Sequence, residues 1–397
     1  MQLYQNSLSL LPTHDTIAPV SYWISLSAAA FNHNVTQLRR IIAPTKKLAF
    51  VIKANAYGHG MQQMAQLAQD NSQIDWLCTF SLSEALALRS YNVTKPILVL
   101  GYIDVDPYLA VGKNIACAID SLQTAHLLHT AAQKAHGTIP VHVKIDTGLS
   151  RFGVLPEQAV SFITQLARYD TISIEGIFTH FAESQKEDDA FTQAQLALFF
   201  KVLQELAAKN ISIPLTHVCN SAALMSLPLE PYNLYRIGLA LYGYYPSKAA
   251  QEHIQMLFPE FNLKPVLQLH SKIIRIKKIP AYSYVSYNRT VQVTRDTVIG
   301  IVPFGYSDGL DILFSNKSFV TIHGCKAPLL GRIAMNVMLV DITDIPNVAV
   351  NDLVTIFGDK ADNNVQHICN MAGIDNVRTL LARLPEKITR YVDTLVQ

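Results

Sequence analysis

The sequence is poor in charge and in cysteine, and it has no long apolar run. Only 16% of its residues are Asp, Glu, Lys or Arg, and the 32 basic and 30 acidic residues leave a net charge of +2. No basic block stands out, so nucleic acid is not an expected partner. The five cysteines, Cys78, Cys117, Cys219, Cys325 and Cys369, are scattered and odd in number. They form neither zinc-type pairs nor a disulfide framework, so no metal is expected and a reducing cytoplasm is the expected setting. No apolar run reaches membrane-spanning length, so no membrane association is expected. Residues Met1 to Asn6 carry no positive segment, and Leu8 to Pro12 is too short for the apolar region of a signal peptide. Low-complexity tracts and internal sequence repeats are missing too.

What is present is apolar. Half of the 397 residues are hydrophobic, enough for one large barrel plus a smaller domain, or for two to three ordinary domains. Residues 1–20 hold Pro12 and Pro19 and read as an arm. A short strand is expected over Ser21 to Leu26, with Ser27 capping a helix from Ala28 to Arg40. Short apolar runs then alternate with amphipathic helical segments such as Glu84–Arg89 and Ala190–Lys209. The runs are Leu48–Lys53, Trp76–Phe80, Ile97–Gly101, Ala116–Asp120, Val141–Asp146, Ser173–His180, Leu215–Asn220 and Leu234–Leu239. From Lys53 to Arg236 their spacing is about 26 residues, the pitch of a (β/α)8 barrel. From about Phe261 the pattern changes to alternating strands with Gly and Asp turns, at Leu263–Ile279, Val291–Val293, Val298–Val302, Phe319–Ile322 and Leu339–Ile342. The expected class is therefore α/β, an N-terminal TIM-like barrel over 21–258 followed by a mostly antiparallel β domain over 259–397. Pro246 to Phe258 is the expected linker.

The ends of the barrel runs carry chemistry: Lys53, Ser81, Asp120, Asp146, His180, Asn220-Ser221 and Arg236. In such barrels the C-terminal strand ends form the active face. Ordinary turn chemistry accounts well for Asp120 and Ser81 and poorly for Lys53, His180 and Arg236. Lys53 keeps two readings on its own evidence. It is an amine whose burial lowers its pKa for carbonyl condensation, or a strand-end lysine reaching water along its aliphatic stem. Ser221 after run seven and Gly238 at run eight together point to a phosphate site, since barrels commonly build one from the loops after strands seven and eight.

Six blocks occur in order: Lys53-Ala54-Asn55-Ala56-Tyr57-Gly58-His59-Gly60, Lys144 to Gly153, Thr179-His180-Phe181-Ala182, Tyr235 to Gly243, Phe304-Gly305-Tyr306-Ser307-Asp308-Gly309 and Gly331 to Asn336. Together they resemble the alanine racemases, from about Trp23 to Arg390. The resemblance implies a pyridoxal 5'-phosphate (PLP) enzyme that interconverts L- and D-alanine, works as a head-to-tail homodimer with shared active sites, and supplies D-alanine for peptidoglycan. It implies that Lys53 holds PLP and is the base on one face of the substrate, and that Tyr306 of the partner subunit is the base on the other. His180 and Arg236 would form a hydrogen-bonded chain with that tyrosine, Arg236 also facing the pyridine nitrogen. Arg151 would contact the cofactor's phenolic oxygen and the substrate carboxylate, oriented by a carbamylated Lys144. Tyr57, Ser221 and the Ile237 and Gly238 amides would hold the phosphate, and the Met335 amide of the partner the substrate carboxylate. Two positions depart from the usual pattern. Asn336 stands where the family usually has aspartate, and Ala382 where many members have tyrosine. Both bear on substrate breadth, and a racemase of wider range is the nearest alternative. A decarboxylase of this fold is expected to offer an acid where this chain has Arg236, and a non-catalytic PLP carrier is expected to end after the barrel.

Overall fold

The computed structural model describes residues 21–184, 190–227 and 232–393. The expected N-terminal arm, 1–20, lies outside them. The described chain divides into two compact units, one of residues 32–54 and 64–263, the other of residues up to 31, 55–63 and 264 onward.

The first unit is the barrel. Its strands are Lys47–Val51, Trp76–Ser81, Ile97–Tyr102, Ile115–Ile119, Ile139–Lys144, Ile172–Phe178, Leu215–His217 and Leu234–Ile237. They are numbered one to eight here, and strands one to seven each pair in parallel with their sequence neighbours. Strand eight returns to strand one, with Ile237 beside Phe50. Strands seven and eight are joined by Asn233 N–H to Thr216 O at 3.1 Å and Arg236 N–H to Cys219 O at 3.0 Å. Leu48, Ala49, Phe50 and Val51 are all buried, as a strand covered on both faces requires. Helices fill the intervals. Leu82–Ser90 starts in a capping box, with Ser81 and Glu84 each bonding the other's backbone. The stretch expected as a linker instead contains helix Lys248–Leu257. Ser247 caps it through the Ala250 amide, and it buries Ala250 and Ile254.

The second unit holds two main sheets. One has the order Cys325–Pro328, Phe319–Ile322, Leu353–Phe357, Leu267–Lys272, Tyr22–Ser27, Arg390–Asp393; the other has Arg275–Ile279, Thr297–Val302, Met338–Asp341. All pairings within them are antiparallel except Tyr22–Ser27 with Arg390–Asp393. The expected N-terminal strand thus forms, but not as part of a barrel region beginning at residue 21. Eight strands already complete the barrel, so the backbone groups of Tyr22–Ser27 find their partners in the sheet of the second unit.

Candidate active site

In the barrel unit the site is built where strands one, five, six and eight end. Ile52 N–H bonds Cys78 O at 2.8 Å, which fixes the residue before Lys53. The Lys53 amine then stands 5.0 Å from the centre of the Phe80 ring. The chain leaves strand one in a left-handed turn: Ala54, Asn55, Ala56 and Tyr57 have φ of 53°, 51°, 54° and 53°. Each such residue costs about 1–2 kcal/mol, a strain that proteins concentrate at functional sites. The turn's first amide, Ala54 N–H, is taken by Glu84 Oε1 at 2.7 Å, and the other oxygen of Glu84 takes Phe80 N–H at 2.7 Å.

Lys144 ends strand five, 5% exposed, with its amine 5.2 Å from the Phe152 ring and 5.7 Å from the Phe178 ring. Desolvation, helped by Arg151 and Arg236, pushes its pKa down to about 8. The following loop is set by Asp146 Oδ1, which accepts the Gly148 and Ser150 amides, and by Asp120, which accepts Gly153 N–H. Asp120 and Ser81 therefore do turn and cap work, as turn chemistry predicts. Arg151 projects from that loop, exposed. His180 lies beyond strand six. Burial first, then the charges of Arg236, Lys144, Lys53 and Arg151, hold its pKa well below the usual histidine value. Five of the sequence-chosen side chains thus meet at one end of the barrel, with His180 a neutral imidazole among four cationic side chains.

Arg236 is buried, and burial lowers it to about 10, so it remains a cation at neutral pH. Its guanidinium lies 5.1 Å over Phe178 and donates to Thr179 O at 2.8 Å, Val218 O at 3.2 Å and His217 Nδ1 at 2.5 Å. The expected Arg236–His180 hydrogen bond is not among these. Its Nε–H and one further N–H have no acceptor among the described residues. That donor set fits a ring nitrogen that only accepts. An arginine cannot accept a hydrogen bond, so His217 Nδ1 must. Its Nε2–H then donates to His142 Nδ1 at 2.7 Å, and His142 turns its Nε2–H towards Glu175 at 3.9 Å. Both imidazoles are neutral: burial takes His142 down to about 3 and His217 well below its usual value.

Sequence reading missed this interior line, because His142 and His217 sit inside apolar runs whose ends attracted attention. A polar side chain at a buried strand position was the available signal. Ser221 is buried, and its hydroxyl accepts Ala240 N–H at 3.3 Å, bringing the loop after strand seven against the turn that follows Ile237 and begins at Gly238. A buried hydroxyl beside main-chain amides suits a phosphate.

The second unit carries Tyr57, Tyr306, Met335, Asn336 and Ala382. Tyr306 opens a short turn, Tyr306–Asp308, and is 42% exposed. Buried Asp308 anchors that turn, accepting from Tyr22 Oη at 2.9 Å, Lys387 Nζ at 3.0 Å and Gly305 N–H at 3.2 Å. Met335 is 54% exposed, and Tyr306 N–H bonds Ala334 O at 3.1 Å. Gly58, at φ +79°, lies so close to Leu381 that a Cβ there would stand 1.8 Å from its carbonyl oxygen.

A parallel barrel with a lysine, an arginine and a neutral histidine at its strand ends, followed in the chain by a β unit presenting an exposed tyrosine, defines a class of two-part barrel enzymes. Comparison with known proteins places the chain within that class. Residues 26–246 match the family model for the N-terminal domain of alanine racemase, and residues 266–392 the model for its C-terminal domain. The alanine racemase of Methanococcus maripaludis is 34% identical over 91% of this chain and 97% of its own. Alanine racemase 1 of Clostridium acetobutylicum is 36% identical over 87% and 88%. Among solved structures, the alanine racemase of Clostridium difficile 630 superposes with a TM-score of 0.87 at 30% identity, covering 96% of this chain and 98% of that one. The chain belongs to the alanine racemase family and is an enzyme of it.

Proposed function

We propose that this enzyme interconverts L- and D-alanine with PLP bound at the mouth of the barrel, using one base on each face of the substrate. The observation that carries the reading is the convergence of Lys53, Lys144, Arg151, His180 and Arg236 at one end of the barrel. PLP, when bound, supplies the electron sink that lets a Cα proton leave. Lys53 would hold it through its amine, Ser221, the Ile237 and Gly238 amides and Tyr57 would take its phosphate, and Arg236 would face its ring nitrogen. A guanidinium does not surrender its proton at that nitrogen, which restrains side reactions and favours return of the proton to Cα. Arg151 orients the substrate carboxylate, steadied by Lys144. An amine with a pKa near 8 is neutral often enough to take up carbon dioxide, and the carbamate would be an anionic partner for Arg151.

Lys53 removes or returns the proton on one face. Tyr306, lent by a second copy of the chain in a homodimer, does so on the other, and the partner's Met335 amide receives the carboxylate. A phenol acts as a base near neutral pH only when its pKa is lowered, a role that falls to His180 and Arg236. The cellular reading that follows is D-alanine supply for peptidoglycan in the cytoplasm. Among the described residues no helix is long and apolar enough to cross a membrane. Asn336 and the small Ala382 favour a second reading, a racemase that also accepts larger amino acids.

The test is racemisation of L- and D-alanine, and of a panel of other amino acids, by the PLP-loaded enzyme. Lys53→Ala should lose at least about a thousandfold in both directions and fail to hold the cofactor through borohydride reduction. Tyr306→Phe should slow exchange of the α-hydrogen of one enantiomer with deuterated solvent more than that of the other, and equal exchange losses refute the two-base scheme. Alanine among the poorest substrates of the panel would refute the alanine reading in favour of the broad one.

A further inference from the structure

We propose that Ser307 and Asn336 are positioning residues that lock the Met335 amide to the Tyr306 turn, and that asparagine stands at 336 because this lock needs a hydrogen-bond donor there. The inference rests on the reading of Tyr306 and Met335 as substrate-facing groups.

The two segments meet at Gly305. A Cβ there would stand 2.4 Å from Ala334 O and 2.3 Å from Met335 O, so only glycine lets the backbones close up. Two successive bonds then form, Tyr306 N–H to Ala334 O at 3.1 Å and Ser307 N–H to Met335 O at 3.0 Å. In a trans peptide the N–H points opposite to the C=O. Because Ala334 O faces Tyr306, the Met335 N–H is turned away from it. Among the described residues no backbone acceptor takes that N–H. It is carried by a residue that is 54% exposed.

The side chains then settle the identity of residue 336. Ser307 has one hydroxyl proton, and it goes to Met335 O at 2.8 Å, since a carbonyl can only accept. The 3.5 Å approach of the same hydroxyl to Asp308 is too long to compete. Towards residue 336 the hydroxyl is therefore an acceptor. Asn336 Nδ2 meets it at 3.0 Å as a donor. An aspartate would bring only lone pairs to a hydroxyl already committed, and would add a negative charge beside an amide meant for a carboxylate. The departure at 336 is thus paired with Ser307, and it acts on the substrate's carboxylate end.

The experiment uses the full-length PLP-loaded enzyme with Ser307→Ala, Asn336→Ala, their double variant, Asn336→Asp and Ser307→Thr. KM and kcat for alanine are measured in both directions, with competitive inhibition by acetate as a probe of the carboxylate contact alone. Each alanine variant should raise KM and the acetate inhibition constant about tenfold, with kcat within about twofold of the parent. The double variant should be no worse than either single, Asn336→Asp should be the weakest acetate binder, and Ser307→Thr, which keeps the hydroxyl, should match the parent. Unchanged acetate inhibition in Ser307→Ala and Asn336→Ala overturns the proposal, as do additive losses or a fall in kcat without a rise in KM. The underlying reading fails separately, if Tyr306→Phe keeps full rates in both directions.

Discussion

A lysine buried beside two arginines and two phenyl rings is costly unless its neutral form is used. Lys144 is such a residue, with burial and then Arg151 and Arg236 holding its pKa near 8. At neutral pH most of it is still ammonium, and the reactive neutral fraction grows as pH rises through about 8. Incubation with 13C-labelled bicarbonate should therefore give a carbamate NMR signal that strengthens from pH 7 to about pH 9 and is absent in Lys144→Ala. No signal at either pH would leave Lys144 as a plain cation. His217 shows the opposite use of burial, which makes it a neutral acceptor for Arg236. Neither role follows from residue type. The lysine's site was legible in the block Lys144 to Gly153, whereas the histidine's partner lies 19 positions away and only folding reveals it.

Strand six shows how an element carries a site it does not itself display. At Gly176 a Cβ would stand 2.2 Å from His142 Nδ1, the atom that accepts from His217. Strands five and six shift register at this point, between Val141 and His142. Gly176→Ala should destabilise the enzyme by about 1–3 kcal/mol, as overpacking does, and disturb Arg236 through the two imidazoles. Urea unfolding and kcat should both report it. Adding His142→Ala should recover the stability by making room without restoring the hydrogen-bonded line. If the double variant is no more stable than Gly176→Ala, the clash is not with the ring. The left-handed turn Ala54–Tyr57 is the other such element. Its sequence, Ala-Asn-Ala-Tyr, carries no glycine, so nothing local announced four positive φ angles. They persist because neighbours hold them, Glu84 at the Ala54 amide and Asn55 Oδ1 at Met61 N–H.

At the scale of the whole molecule, a shared site makes a sharp demand. In a head-to-tail dimer, mixing Lys53→Ala with Tyr306→Phe chains yields heterodimers in which one site keeps both native residues. Unfolding and refolding the mixture should restore about a quarter of the parent racemisation rate, by random pairing. A site contained within one chain restores nothing. Acid stability tests the folded interior. His59 and His142 are held down to about 3, and His270 to about 4, each mainly by burial. Their folded values lie below the unfolded value near 6.5, so the unfolded chain takes up protons that the folded one refuses. This stability is complete above about pH 6.5 and is lost as pH falls towards 4 and then 3. Each such histidine adds a slope of about 1.4 kcal/mol per pH unit. Urea midpoints at pH 7, 6 and 5 should fall with more than one proton's slope, and a flat profile would mean the imidazoles are not neutral and buried together.

Sequence alone determined the barrel and its eight strands, because apolar runs at a regular pitch are local signals. It also held the blocks by which the chain resembles its family. Tertiary structure decided where Tyr22–Ser27 belongs, since a strand's partners are set by which sheet has an open edge. It decided that Arg236 leans on His217 and not on His180, and that Asn336 answers to Ser307. Those are contacts between positions far apart in the chain, fixed by a few tenths of an ångström that no spacing along the sequence records.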